Sequence, residues 1–164
     1  MKTLILIRHA KSDWANENLS DHDRPLNERG LTNAPVMAGK LKQKISLPQL
    51  WVSSSAVRAL TTAKLFCKEF KVDEKKVVSN PELYNTTPGF VIDFIQKQND
   101  EFESIIIFNH NPTVSQLVSM LCNLPSYHLP TCSVAIIQFE IDSWKNFGSV
   151  AGSLVDLDYP KKQQ

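Results

Sequence analysis

The sequence predicts an α/β fold, a three-layer α/β/α sandwich around a mostly parallel sheet with one antiparallel edge strand. Four short runs rich in apolar residues, at 4–7, 50–52, 76–78 and 105–108, are separated by stretches long enough to hold helices, which is typical of a parallel sheet. The first and last runs are continuously apolar, as expected for central strands covered by helices on both faces. We therefore expect these two strands to be neighbours in the middle of the sheet.

Later runs at 134–141 and 150–157 are separated by a few residues that include Asn146 and Gly148, so an antiparallel pair is expected at one edge of the sheet. Helices are predicted at about 33–45, 56–70, 88–98 and 112–123. Candidate N-caps for the first, second and fourth helices are Asn33, Ser55 and Asn111. With Asn33 as the cap, Pro35 falls in the first turn, where its missing N–H has no intrahelical partner to lose.

The composition indicates a single globular domain with no strong overall charge. We place this domain at 1–159, ahead of a polar tail at 160–164. Because 18 basic and 17 acidic residues give a net charge of +1, nucleic acid and membranes are not expected as partners, and any anion site must be local. Three cysteines without zinc-type spacing are expected to be reduced thiols, and the run at 4–7 is too short for a signal sequence. These features predict a cytoplasmic protein.

Polar residues follow each predicted parallel strand at its carboxyl end, where ligands bind in open sheets of this kind. They are Arg8 and His9, the run 53–55 followed by Arg58, the run 80–82 that ends in Glu82, and the run 109–111 that contains His110. Two histidines, two arginines and one glutamate are therefore expected to meet at one rim. Arg8 and His9 converge there only if the strand has already ended, since successive side chains of a strand point to opposite faces.

Such a set of side chains is suited to binding and transferring a phosphoryl group. Guanidinium forks match phosphate oxygens, and a neutral imidazole attacks phosphorus when its other ring nitrogen is held by a hydrogen bond. Arg58 gives an independent indication, because a cation in the first turn of a helix opposes the helix dipole and calls for an anion nearby. Further candidates for phosphate contact are Lys11, Ser12, Ser53 and Asn111. An exposed lysine and helix-capping serines are the ordinary alternatives.

Several other chemistries find no support in the sequence. It contains no Gly-rich nucleotide loop, no nucleophile elbow, and no cysteine followed by arginine at the spacing of a cysteine phosphatase. No cofactor is implied, and no metal, because the arginines and histidines already supply positive charge. The run Asp21-His22-Asp23 resembles a metal corner, but adjacent side chains rarely converge on one ion, so a solvated loop is predicted. A non-catalytic phosphate-binding module stays open as an alternative.

Five sequence blocks resemble, in order, the motifs of the histidine phosphatase superfamily, also called phosphoglycerate-mutase-like proteins. They are Arg8-His9-Ala10-Lys11-Ser12-Asp13-Trp14, Asp23-Arg24-Pro25-Leu26-Asn27-Glu28-Arg29-Gly30-Leu31, the run from Ser53 through Arg58 to Ala63, Pro81-Glu82-Leu83, and His110-Asn111-Pro112. The resemblance covers nearly the whole domain and implies the fold of that superfamily.

The resemblance also implies roles for individual residues. His9 resembles the nucleophile that becomes phosphohistidine, and the other members of the phosphate pocket are Arg8, Arg58 and His110. Glu82 lies where the family often has the proton donor to the leaving group, and Asp13 is a second candidate acid.

Two departures from the family signature point to a subgroup. Ala10 and Asn109 stand where the family often has Gly, so either turn would differ if its position needs positive φ. Ala10 followed by Lys11-Ser12 is more similar to small phosphohistidine phosphatases than to sugar-phosphate mutases. Only 84–89 separates the Glu82 block from the next helix, which leaves no room for a lid insertion. The expected substrate and partner is therefore a phosphohistidine protein, and a small-molecule phosphomonoesterase is the alternative.

Overall fold

The computed structural model describes residues 1–162, which form one six-stranded sheet with helices on both faces. The strands are β1 (Lys2–Arg8), β2 (Leu50–Ser54), β3 (Val77–Asn80), β4 (Ser104–Asn109), β5 (Val134–Phe139) and β6 (Ser153–Asp158). The α-helices are α1 (Glu28–Lys42), α2 (Val57–Phe70), α3 (Pro88–Gln96) and α4 (Thr113–Cys122). Short 3-10 turns occur at Glu74–Lys76, Pro81–Leu83 and Trp144–Asn146.

The strand order is β3-β2-β4-β1-β5-β6, with parallel pairing from β3 through β1. β1 and β4 are neighbours in the middle of the sheet, as their continuous apolar runs predicted. β5 is antiparallel to both β1 and β6, so it is the strand that runs against the others. As predicted, β5 and β6 form an antiparallel pair at one edge of the sheet, where β6 is the outermost strand. β6 covers β5, because most of β5 is buried and its outer backbone groups need partners there.

Alternate residues of β1 enter two separate apolar cores. Leu4 and Leu6 pack in the core that includes α3 and α4, whereas Ile5 and Ile7 pack in the core that includes α1 and α2. All four side chains are fully buried, and each contributes about 1.5–3 kcal/mol through burial. The three-layer arrangement is therefore confirmed, and it anchors the strand whose end carries Arg8.

The first helix begins five residues earlier than predicted. Its N-cap is Asn27, whose Oδ1 accepts a hydrogen bond from the Gly30 N–H at 2.8 Å, so α1 starts at Glu28. Asn33 is therefore not the cap, and Pro35 lies inside the helix. The sequence prediction was wrong because it fitted the start to Pro35 and not to the stronger cap upstream.

The early start brings α1 against the turn that follows β1. The Asn27 N–H donates to the Lys11 carbonyl at 2.9 Å, and Ser12 forms an isolated antiparallel bridge with Leu26. A Cβ at Gly30 would lie 2.3 Å from the Lys11 carbonyl oxygen, so only glycine permits this approach. The loop at 12–27 is thereby fastened at both ends beside the carboxyl end of β1.

The last described residues form a turn after β6, in which Lys162 Nζ donates to the Leu157 carbonyl. Gln163 and Gln164 of the predicted polar tail lie outside the described residues. Among residues 1–162, no helix has the length and apolar character needed to cross a membrane.

Candidate active site

The chain leaves the sheet between Arg8, the last residue of β1, and His9. The His9 N–H donates to the Asn109 carbonyl at the end of β4, at 3.0 Å. The next N–H, of Ala10, donates to Thr62 Oγ1 on α2, also at 3.0 Å. The strand therefore ends at Arg8, as is required for Arg8 and His9 to lie at the same rim. Contacts with β4 and α2 hold the turn that follows.

The His9 ring is held in one tautomer. Its Nδ1 lies 2.7 Å from the Ala10 carbonyl oxygen, which only accepts hydrogen bonds, so Nδ1 carries the proton. Nε2 then carries the lone pair of the ring and accepts a hydrogen bond from Arg58 Nε–H at 3.4 Å. This is the arrangement required of a nucleophilic imidazole.

His9 and His110 lie side by side, with ring centroids 5.1 Å apart. Burial lowers the pKa of His9 to about 3. The hydrogen bond to the Ala10 carbonyl opposes this shift, whereas the neighbouring groups His110, Arg58 and Arg8 add to it. Burial, followed by the charge of Arg58, likewise lowers the pKa of His110 to about 3. Both rings are therefore neutral at pH 7.

Three buried polar atoms near the end of β1 and β4 lack a protein partner: Arg8 Nε, Asn109 Nδ2 and His110 Nδ1. Among the described residues, only Thr86 Oγ1 elsewhere shares this property. The other nitrogen of His110, Nε2, is 2.7 Å from Ser54 Oγ at the end of β2. Because buried polar groups are normally hydrogen-bonded, unpaired atoms clustered at one rim indicate a site for a polar ligand.

Arg8 and Arg58 are close enough for each charge to affect the other. Burial, followed by the charge of Arg58, lowers the pKa of Arg8, which nevertheless stays protonated. Arg8 Nη1 donates to the Leu129 carbonyl at 2.8 Å. The two predicted arginines thus place two positive charges beside two neutral histidines.

Arg58 is the second residue of α2 and is 6% exposed. Its Nη1 donates to the Asp21 carbonyl at 2.5 Å and its Nη2 to Asp21 Oδ2 at 3.0 Å. The anion expected beside this guanidinium is therefore supplied by the protein itself. Ser55, the predicted cap of α2, instead bonds His22 Nε2 at 2.9 Å, and α2 has no side-chain cap.

The loop at 12–27 contributes a network that the sequence analysis missed. Asp21 Oδ1 accepts from Arg24 Nε at 3.2 Å and Nη2 at 2.8 Å, and Oδ2 accepts from the Tyr84 hydroxyl at 2.5 Å. Arg24 also donates to Ser12 Oγ at 2.7 Å, and its Cζ lies 3.5 Å from the centre of the Trp14 ring. The Tyr84 hydrogen bond, followed by those from the arginines, holds the pKa of Asp21 well below its usual range. The run 21–23 is a largely exposed loop, as predicted, and its Asp21 also forms ion pairs with Arg24 and Arg58.

Two of the predicted phosphate contacts have structural roles instead. Ser53 is fully buried and donates to the Ser54 carbonyl at 2.9 Å. Asn111 uses its side chain to hold the start of α4, accepting from the Ser115 N–H at 3.2 Å and donating to the Leu129 carbonyl at 2.9 Å. Both side chains therefore fix backbone groups at the rim.

The predicted acids lie at the surface around this rim. Glu82 is exposed, its N–H donates to Asn80 Oδ1 at 3.0 Å, and its carboxylate forms no hydrogen bond with the buried histidines and arginines. Asp13 Oδ1 accepts from the Ala15 N–H at 2.7 Å. Lys11 is half-buried, and within residues 1–162 its Nζ forms no hydrogen bond or ion pair. The structure therefore does not bring these three side chains into the buried cluster.

The two departures from the glycine signature cause no backbone strain. Neither Ala10 nor Asn109 belongs to the non-glycine residues with positive φ among those described. Asn109 instead uses its side chain, because Oδ1 accepts from the His110 N–H at 2.9 Å. Alanine and asparagine therefore fit these turns.

Residues 4–89 match the family model of the histidine phosphatase superfamily, branch 1. An uncharacterised chloroplastic protein of Arabidopsis thaliana is 33% identical over 161 residues, which cover 92% of this chain and 72% of that protein.

Solved structures show the same fold. A candidate phosphohistidine phosphatase SixA from Agrobacterium tumefaciens is 28% identical, with a TM-score of 0.81 over 97% of this chain and 98% of that one. A protein histidine phosphatase SixA complexed with tungstate, at 22% identity, gives a TM-score of 0.82 over 96% and 97% of the two chains. The first likeness extends to sequence, and the second concerns the fold alone.

Proposed function

The chain belongs to the histidine phosphatase superfamily, and on this premise we propose that it is a phosphatase with His9 as its nucleophile. The state of His9 carries the proposal. Its ring is neutral, Nδ1 donates to the Ala10 carbonyl, and Nε2 carries the lone pair and accepts a hydrogen bond from Arg58 Nε. The charges of Arg8 and Arg58 complement a phosphoryl dianion. We propose that the polar atoms without a protein partner at this rim also bind its oxygens.

In the first proposed step, His9 Nε2 attacks phosphorus while the bond between phosphorus and the leaving group breaks. Arg8, Arg58 and His110 bind the phosphoryl oxygens and stabilise the charge on them. The Nδ1 proton remains on the ring and its hydrogen bond to the Ala10 carbonyl stabilises the cation that forms. The leaving group departs with the electrons of the broken bond.

A leaving group of high pKa must gain a proton as it departs, and we propose Glu82 as its donor. The protonated imidazole of a phosphohistidine substrate leaves as a neutral ring and needs no such donor. In the second step, water attacks the phosphorus on His9, the P–N bond breaks, and its electrons return to Nε2. The proton lost by water passes to solvent or to the Glu82 carboxylate, which restores the enzyme.

We propose phosphohistidine on a protein as the substrate. Only residues 84–87 connect the Pro81–Leu83 turn to α3, so the rim has no inserted lid on that side. Trp14 and Glu82 are exposed at its margin. An open rim suits a bulky phosphoprotein, and the similar SixA structures are those of a candidate phosphohistidine phosphatase and a protein histidine phosphatase. A small-molecule phosphomonoesterase is the second candidate, because the buried groups can recognise the phosphoryl group without its carrier. No metal is proposed, since the arginines supply the positive charge.

The test is phosphate release from a histidine-phosphorylated protein at pH 7 without added metal, comparing wild type, His9→Ala and His128→Ala. His128 is exposed, and its ring forms no hydrogen bond or ion pair within residues 1–162, so its variant is the matched control. We expect release by wild type and His128→Ala, and a loss on the order of 10⁴-fold or more in His9→Ala.

The outcomes separate the parts of the proposal. Hydrolysis of an aryl phosphate but not of phosphohistidine would reject the substrate class and keep the mechanism. Equal activity of wild type and His9→Ala would reject His9 as the nucleophile. Phosphate binding without any turnover would identify a non-catalytic member of the family.

A further inference from the structure

Asp21 contacts Arg58 through two different groups, its backbone carbonyl and its carboxylate. A guanidinium has five N–H donors, one on Nε and two on each terminal nitrogen. Asp21 accepts one hydrogen bond from Nη1 and one from Nη2, and Nε donates a third to His9 Nε2 at 3.4 Å. One donor on each terminal nitrogen therefore remains for phosphate oxygens, in a fixed orientation.

Asp21 is itself held from the other side. Arg24 donates to Oδ1 through two nitrogens, and Tyr84 donates to Oδ2. Arg24 is 7% exposed and is braced by Ser12 and Trp14. The carboxylate is therefore fixed by groups that come from the loop at 12–27 and from the segment after β3.

The charge of Asp21 also has a specific use. Arg58 lies in the first turn of α2, where the helix dipole repels a cation, and the carboxylate offsets this repulsion. Asp21 pairs with both Arg24 and Arg58, so one negative charge lies between two guanidinium groups and the trio keeps a net positive charge.

From these contacts we propose that Asp21 is a positioning residue, which fixes the Arg58 guanidinium against His9 and the bound phosphoryl group. The inference rests on the proposed function, because Arg58 must stabilise the transferring group. Asp21 does not touch the substrate and acts through Arg58. This role differs from that of a proton donor, because the Asp21 carboxylate stays ionised between Arg24 and Arg58.

The test is a double-mutant cycle with Asp21→Ala, Arg58→Ala and the double variant, using p-nitrophenyl phosphate as the probe. We expect Asp21→Ala to lower kcat by about 10- to 100-fold, the size that follows from misplacing a catalytic group by about an ångström. KM should rise little or fall, because a negative charge beside the phosphate is lost. In the Arg58→Ala background, Asp21→Ala should have no further effect, since the group through which it acts is gone.

Asp23→Ala is the matched control, because Asp23 lies in the same loop but pairs with His22 and not with an arginine. It should leave kcat within about two-fold of wild type. Asp21→Asn serves in place of Asp21→Ala if thermal unfolding shows that the alanine variant does not fold. Costs that multiply in the double variant would overturn the proposal. So would unchanged kcat with tighter binding of inorganic phosphate, which would make Asp21 a competing anion.

A second measurement needs no turnover. In nitrogen-15 NMR spectra, the Arg58 Nε–H signal, assigned with Arg58→Lys, should be that of an ordered side chain in wild type and in Asp23→Ala. In Asp21→Ala it should merge with the signals of mobile arginines, and an unchanged signal would refute the positioning role. If wild type cleaves no phosphate compound, the proposed function fails while this measurement still decides the role of Asp21.

Discussion

His9 and Asp21 approach the same arginine from two regions that are built in different ways. His9 belongs to the strand-end region, which comprises Arg8, His9, Ser54 and His110 at the ends of central strands. Asp21 belongs to the loop region at 12–27, in which the isolated bridge between Ser12 and Leu26 joins the two ends of the loop to each other. The strand-end region takes its geometry from backbone pairing and two apolar cores. The loop region takes its geometry from hydrogen bonds between charged side chains.

The two regions therefore have different proposed roles. The strand-end region carries the groups that react with or bind the phosphoryl group, and the loop region positions one of them. Neutral histidines require burial, which the middle of a sheet provides. A carboxylate that must stay ionised is better placed at the surface, where Asp21 is half-exposed and surrounded by donors. We therefore expect substitutions in the strand-end region to affect the reaction and the acid stability most, and substitutions in the loop region to have smaller effects.

After His9→Ala, the largest effect is expected for Arg8→Met. Loss of one charged donor to the phosphoryl oxygens should lower kcat/KM by about 10²- to 10³-fold. The comparison variant is Arg24→Met, which removes the same charge from the loop region and should cost less. Steady-state hydrolysis of an aryl phosphate measures both. A larger loss in Arg24→Met would reverse the distinction between the two regions.

Acid should destabilise the strand-end region before it affects the loop region. In the unfolded chain both histidines gain a proton below about pH 6.5, whereas in the folded protein they do so only near pH 3. Stability should therefore fall as the pH drops from 7 to 5, with a slope that approaches about 1.4 kcal/mol per pH unit for each histidine. Asp21 acts in the same direction, but only as the pH approaches 3.8, the ordinary pKa of its side chain.

Urea unfolding at pH 7, 6 and 5 measures this slope. His110→Gln should reduce it by about half, because one of the two titrating groups is removed. A flat profile in wild type would show that the histidines are not held neutral by burial.

A smaller effect is expected for Trp14→Ala. The Trp14 side chain is 69% exposed and lies against the Arg24 guanidinium, an interaction worth about 0.5–1 kcal/mol at exposed sites. The free energy of unfolding should fall by this amount, while Trp14→Phe should retain most of it. In the Arg24→Met background the Trp14→Ala cost should disappear, and its persistence would show that the ring stabilises something other than Arg24.

The smallest effect, on the turnover of phosphohistidine, is expected for Glu82→Gln. A protonated imidazole leaves without help, so turnover should stay within about two-fold of wild type. Alkyl phosphates need a proton donor, and their turnover should fall by about 10²-fold. Parallel assays on the two substrates provide the test. Equal losses on both would assign Glu82 a role other than proton donation.

The residues of the strand-end region could be predicted from the sequence. Continuous apolar runs identified β1 and β4 as central neighbours, and the end of each run identified Arg8, His9 and His110. These inferences hold because burial acts on every residue of a strand in a regular period, and parallel strands bring their carboxyl ends to one rim. The family resemblance then named the same residues, and Arg24 lay within one of its blocks although its contacts were not foreseen.

The helix caps and the contacts of Asp21 depend on the tertiary structure. Local patterns led to Asn33 and Ser55 as caps, whereas Asn27 caps α1 and Ser55 bonds His22. The contact of Asp21 with Arg58 joins positions 37 residues apart, and its contact with Tyr84 joins positions 63 apart. No period in the sequence encodes such pairs, because ion pairs and hydrogen bonds in an irregular loop depend on which side chains the finished fold brings within about 3 Å.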